Sequence, residues 1–317
     1  MPGPRPGESA LNVFRLFYQI RPHPPFRLDL TVWALRRVPV NQIDRWDGHT
    51  YRRALAWPGG AAEVAVFQTG SMDRPRLVAT ASGPGDRPPS DLVTHSLERM
   101  LGTRVDLSGF YRLARGDRQL TELAEQFRGM KPPRFPTVFE AIVNGIACQQ
   151  LSLIAGIRVL NRMTAGCGPA VGEAGTGPRA FPRPEDLAGR SPEELRTLGF
   201  SRQKARAVIE LASGTMSGVD LDHLEDMADD EAVRSLTGLR GVGRWTAEYV
   251  LLRGLGRLHV FPGDDVGMRN RLRDWLGISG PLDYEGTSAV LASWSPYAGL
   301  VYLHLLLRRL AAEGHIS

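Results

Sequence analysis

Leu239-Arg240-Gly241-Val242-Gly243-Arg244-Trp245-Thr246-Ala247 is a glycine-punctuated turn between two helical patterns. Gly241 and Gly243 leave the backbone bare, and a helix opens directly behind them. Several amides and the positive end of a helix dipole can therefore face one anion. A cradle of this kind grips backbone phosphate, which positions a protein on nucleic acid without reading its bases. Taken alone, glycine-valine-glycine reads more plainly as a tight corner between helices, but it does not stand alone. About twenty residues on, Val260-Phe261-Pro262-Gly263-Asp264-Asp265-Val266 sets two adjacent carboxylates ahead of another helical pattern. One aspartate is enough to cap that helix. The other is left to point into the space the turn frames, where a carboxylate facing a sugar can stabilise an oxocarbenium-like transition state or orient water.

Outward from this pair of motifs the chain divides by its hydrophobic period. Helical patterns are predicted over 202–213, 229–237, 244–254, 266–276, 286–293 and 297–313. Thr137-Val138-Phe139-Glu140 reads as a capping box opening a helix whose apolar face is Phe139, Ile142, Val143 and Ile146. Ser191-Pro192-Glu193-Glu194 reads as a second helix start. Residues 166–184, rich in glycine, proline and alanine, read as a surface loop. Nearer the start, Phe26, Leu28, Leu30 and Val32 alternate at period two, as do Ala62, Val64 and Val66, which predicts half-buried strands with a turn at Trp57-Pro58-Gly59-Gly60. The expected fold is α+β: a disordered Gly/Pro-rich tail over 1–10, a β-rich domain over 11–105 and a helical domain over 106–317.

Composition narrows the chemistry. The 317 residues are 42% hydrophobic, enough for a real core, and no apolar run has membrane-spanning length, so a cytoplasmic protein without a membrane partner is expected. Two cysteines, Cys148 and Cys167, cannot supply the four thiolates of an iron–sulfur cluster, and the seven histidines are scattered. No cofactor for catalysis is expected. The net charge of +5 suits a polyanion, though ordinary basic enzymes carry as much. Nearly all of the positive charge is arginine; the lysines are Lys131 and Lys204, which leaves almost no candidate for Schiff-base chemistry.

The order hairpin, spacer, Val-Phe-x-x-Asp-Asp resembles the helix-hairpin-helix DNA glycosylase superfamily. Arg244-Trp245-Thr246-Ala247-Glu248-Tyr249 and Phe261-Pro262-Gly263-Asp264-Asp265 are most similar to its 3-methyladenine DNA glycosylase II branch. The β-rich start resembles that branch's accessory domain, so about residues 11–313 are covered. The resemblance implies Asp265 as catalytic residue, Asp264 as its neighbour and cap, and Gly241, Gly243 and Arg244 on DNA phosphate. It also implies a sodium or potassium ion on the carbonyls of Thr237, Leu239 and Val242. Bifunctional relatives carry a lysine two positions after the second hairpin glycine. Trp245 stands there in this chain, which implies hydrolysis without strand cleavage.

Gln149-Gln150-Leu151-Ser152 resembles the superfamily's wedge loop, with Leu151, beside Gln150, filling the gap left by an extruded base; a core leucine is the alternative. Trp245 and Tyr249 lie one helical turn apart, either as a core pair or as a stacking wall that favours a cationic base. Trp294-Ser295-Pro296-Tyr297 resembles the W-x-P-aromatic segment, implying Tyr297 in the base pocket, with Ala298 where arginine is common. Arg202 and Lys204 reach a second phosphate or form a solvated helix face. The expected activity is excision of alkylated, cationic N-methylated purines from double-stranded DNA by base flipping, as a monomer in base excision repair. An oxidised-guanine glycosylase of the same fold and a non-catalytic damage sensor are the alternatives.

Overall fold

The computed structural model describes residues 13–172 and 177–316; the expected 1–10 tail lies outside them. Strands β1 (Val13–Ile20), β2 (Arg45–Trp46), β3 (Thr50–Trp57), β4 (Gly60–Thr69) and β5 (Arg76–Pro84) form one antiparallel sheet in the order β1-β5-β4-β3-β2. Trp57 pairs with Gly60 across a two-residue turn, Pro58-Gly59, in which Gly59 takes φ 91°, a conformation a β-carbon would disfavour. Ala62, Val64 and Val66 are buried on one face of β4, as their period of two predicts.

Phe26, Leu28, Leu30 and Val32 do not form a strand. Helix α1 (Leu28–Arg36) runs through Leu28, Leu30 and Val32, buried at every position but Asp29, and Phe26 is buried just ahead of it. Leu28, Val32 and Leu35 join the sheet's core, whereas Leu30, Trp33 and Ala34 join a helical core. Two interleaved faces, each at helical spacing, imitate alternation at period two. Helix α2 (Leu92–Leu101) lies on the same side of the sheet. The 166–184 segment is less exposed than expected: Val171 and Ala180 pack on Ala54 and Ala61, on the face of the sheet opposite Leu55 and Ala62. All five strands fall within residues 13–84. A boundary at 105/106 stays a proposal, because α1 serves both cores.

Twelve further helices follow among the described residues: α3 (Ser108–Ala114), α4 (Arg118–Gln126), α5 (Val138–Cys148), α6 (Leu153–Cys167), α7 (Pro184–Leu187), α8 (Pro192–Thr197), α9 (Arg202–Met216), α10 (Asp229–Thr237), α11 (Arg244–Arg253), α12 (Val266–Leu276), α13 (Tyr284–Leu291) and α14 (Ala298–Ala312). One apolar cluster joins α5, α6, α9, α10 and α11, and a second joins α3, α4, α12 and α14. Among the described residues no single helix is long and apolar enough to cross a membrane.

Ser191 and Glu194 form the expected capping box in full. Thr137 caps α5 by accepting the Glu140 amide at 3.1 Å, but the Glu140 side chain does not return to close a box. It meets Arg53 of β3 at 2.6 Å instead, and Arg53 also donates to Asp44 at 2.7 Å. All three side chains are buried, so one guanidinium between two carboxylates pins α5, the helix that leads to the cleft, against the sheet.

Candidate active site

The turn between α10 and α11 has the predicted cradle geometry. Gly241 takes φ 77°, and Gly243 is the N-cap of α11 with no side chain serving the first-turn amides, which have no acceptor within the helix. Both glycines are exposed, while Val242 between them is buried and fastens the turn to the core. A β-carbon on Gly241 would lie 2.8 Å from that of Ala207 and would sit in a left-handed backbone. Gly241→Ala is therefore expected to cost about 1–3 kcal/mol locally and to lower duplex affinity at least tenfold in a fluorescence anisotropy titration. Unchanged affinity would remove the turn from the DNA interface.

Asp265 is the N-cap of α12, reversing the expected division of labour with Asp264. One Asp265 oxygen accepts the Met268 amide at 2.9 Å, and the other accepts the Tyr302 hydroxyl of α14, also at 2.9 Å. The carboxylate is half-buried and lines a cleft of about 990 Å³. Burial and the adjacent Asp265 charge push the Tyr302 phenol well above its usual range, so it stays a donor and holds the carboxylate in one orientation. Asp264 instead takes both N–H groups of Arg244, at 2.7 and 2.9 Å. Arg244 also stacks over Tyr284 at 4.1 Å, so it braces the aspartate loop where a phosphate contact was expected. Buried Glu248 completes the brace, accepting from the Gly263 amide at 3.0 Å and from the Tyr284 hydroxyl at 2.6 Å.

Trp245 and Tyr249 stack at 5.4 Å with their planes 20° apart, and both line the cleft. The loop Gln149–Ser152 lines the same cleft. Leu151 is 45% exposed there, which rules out a core leucine, and Gln150 takes a left-handed φ of 52°. Gly145 lets α5 approach α11, since a β-carbon there would meet Thr246 at 2.6 Å. Gln149 donates to the Gly241 carbonyl at 2.8 Å and to the Thr246 hydroxyl at 2.6 Å. Lys204 neither reaches outward nor is solvated; its ammonium donates to the Ala147 and Gln149 carbonyls at the end of α5. Arg202 is exposed.

Tyr297 is not in this cleft. It packs on Phe110 at 5.6 Å in the second helical cluster, and its hydroxyl lies where a β-carbon on Gly109 would sit. Ala298 is buried beside it as the first residue of α14. The tyrosine that α14 does present to the cleft is Tyr302. It sits within Leu300-Val301-Tyr302-Leu303, a run so apolar that nothing distinguishes it from core.

With the hairpin, the helix-capping aspartate and the aromatic pair in one cleft, a known family falls on the same segment. Residues 143–296 match the HhH-GPD superfamily of base excision DNA repair proteins. The match covers just under half of the chain. The Bacillus subtilis protein YfjP is 27% identical over 89% of this chain and 95% of its own length. DNA-3-methyladenine glycosylase 2 of Escherichia coli is 30% identical, over 45% of this chain and 50% of that one. A solved 3-methyladenine DNA glycosylase of Archaeoglobus fulgidus superposes with a TM-score of 0.78 at 25% identity, covering 92% of this chain and 97% of that chain. The HhH-GPD match spans the Gln149–Ser152 loop, the hairpin and Asp265, and stops short of Tyr297 and Tyr302. Arg37 lies well outside it.

Proposed function

We propose that this DNA N-glycosylase excises alkylated bases from duplex DNA in base excision repair by extruding the damaged nucleotide and hydrolysing its N-glycosidic bond. The observation that carries the reading is the shared cleft: Asp265, the Trp245–Tyr249 wall, the Gly241–Gly243 turn and Leu151 line one space. In it, the turn holds the backbone, the base stacks on the rings, and the sugar faces the carboxylate. As the bond breaks, its electron pair leaves with the base, Asp265 meets the positive charge developing on the sugar, and water adds at that carbon. The added water gives up a proton, and a base that was neutral before the bond broke takes one up. Each Asp265 oxygen spends one lone pair on Met268 or Tyr302 and keeps another for this work.

Hydrolysis without strand cleavage is favoured by the lysines. Lys131 is buried with its ammonium on the Val105 carbonyl, and Lys204 is committed to the end of α5, so neither lines the cleft. A potassium or sodium ion on the carbonyls of Thr237, Leu239 and Val242 remains part of the proposal. The Leu239 carbonyl already accepts the Val242 amide at 3.2 Å, and its second lone pair is compatible with a cation.

Incubation with methylated duplex DNA tests the reading. Free base together with intact abasic strands is expected. Binding without release would make the protein a sensor, and strand scission would contradict simple hydrolysis. Leu151→Ala should slow single-turnover excision tenfold to a hundredfold on duplex but little on single strands, because the wedge offsets an unstacking cost of a few kcal/mol that only the duplex imposes. Equal losses on both substrates would deny Leu151 that role.

A further inference from the structure

The inner wall of the cleft is made of guanidinium groups. Arg37, Arg253 and Arg309 all line it. Arg37 follows α1 with a left-handed φ of 68° and is 5% exposed; it donates to the Tyr249 hydroxyl at 2.6 Å and to the Asn144 side-chain carbonyl at 2.7 Å. Arg253 is 1% exposed and donates to the Ala34 carbonyl at 2.9 Å. Arg309 donates to the Arg37 carbonyl at 2.5 Å and reaches Glu313 at 3.7 Å. Among the described residues neither Arg37 nor Arg253 forms an ion pair, and the Nε of each of the three is buried without an acceptor. Such donors are costly unless something else accepts from them.

The carboxylates lining the cleft do not balance this charge. Asp264 is held by Arg244, which leaves Asp265 as the carboxylate without an ion pair in a cleft lined also by two buried guanidinium groups and the half-buried Arg309. The Trp245–Tyr249 wall taken alone would attract a positively charged base. Arg37 already sits on the hydroxyl of that wall, and like charges in a desolvated space repel strongly. The terminal N–H groups of Arg37 not spent on Tyr249 and Asn144, by contrast, suit a carbonyl oxygen or an unprotonated ring nitrogen.

We infer that Arg37 is a specificity-determining residue that turns the pocket toward a neutral alkylated base presenting hydrogen-bond acceptors, and against a base that carries a positive charge. The inference rests on the excision reading above and reverses the cationic preference the rings suggest. It also gives the sheet-bearing part of the chain a direct share in choosing the base.

The test compares duplexes carrying 7-methylguanine, which is cationic, or 1,N6-ethenoadenine, which is neutral. Single-turnover release by the full-length protein is divided by spontaneous loss from each duplex. The wild-type enhancement should be at least tenfold larger on the neutral base. Arg37→Met should shift that ratio at least tenfold toward the cationic base, whereas Arg37→Lys, which keeps the charge, should retain the bias. A wild type that favours the cationic base overturns the inference without any variant, as does an Arg37→Met protein that melts normally yet loses both activities equally. No release from either duplex would overturn the excision reading itself, and this inference with it.

Discussion

Asp265→Asn is expected to reduce base release on the order of a hundredfold to a thousandfold, with the melting temperature and duplex affinity of the protein unchanged. The substitution isolates charge from structure. Asparagine caps a helix as well as aspartate does, so the amide of Met268 keeps an acceptor. The Asn amide nitrogen then takes the place of the oxygen that Tyr302 serves, and the Tyr302 hydroxyl turns to accept from it. Only the negative charge is lost, and it is the charge that meets the cationic sugar. Single-turnover excision and anisotropy titration on the same duplex separate the two roles. Excision at more than a tenth of the wild-type rate would mean that Asp265 is a cap and little else.

The largest effect on stability is expected at Arg53. This guanidinium, 1% exposed, lies between the buried carboxylates of Asp44 and Glu140. Arg53→Met retains the bulk but leaves both carboxylates without their cation, a change that costs about 3–5 kcal/mol when one member of a buried pair is removed. Urea denaturation at neutral pH measures it. The pH dependence gives a second signature. Burial already raises the Glu140 carboxyl, and Arg53 is the chief influence lowering it. Without Arg53 its folded-state value rises further above the unfolded one, so the folded variant binds the extra proton. Its stability should then be greatest below the ordinary carboxylate range and fall as pH rises through the shifted value. A deficit that stayed constant with pH would show that packing, and not charge, is what Arg53 supplies.

Much of the helical part could be read from the sequence because its signals are local. Asp229–Thr237 and Val266–Leu276 match their predicted spans, and Ser191 and Glu194 cap as their spacing implies. What failed depended on neighbours distant in sequence. Helix α1 reads as a strand because it is covered on two sides at once. Glu140 leaves its capping box because Arg53, eighty-seven positions away, offers a full charge. In the cleft the hairpin, the aspartate pair and the Trp245–Tyr249 pair were legible from spacing, since each lies in a short motif, whereas the choice of Asp265 and of Leu151 came from the family resemblance. Arg37, Tyr302 and Arg309 reach the same cleft from the two ends of the chain, and no local pattern marks them. Tyr297 was the converse error: a motif in the right place along the chain whose side chain turns toward Phe110.

The bridge from the Gln149 side chain to Gly241 and Thr246 has a mechanical consequence. On the proposed reading it couples the segment that would enter the helix to the turn that would hold the strand, so the separation between the two is set before DNA arrives and would work as a gauge. A well-stacked nucleotide resists that fixed geometry and slips past, whereas a weakly paired one yields to it. On that reading the protein would sort DNA by how readily each step deforms, before any atom of the lesion enters the chamber where its chemistry is judged.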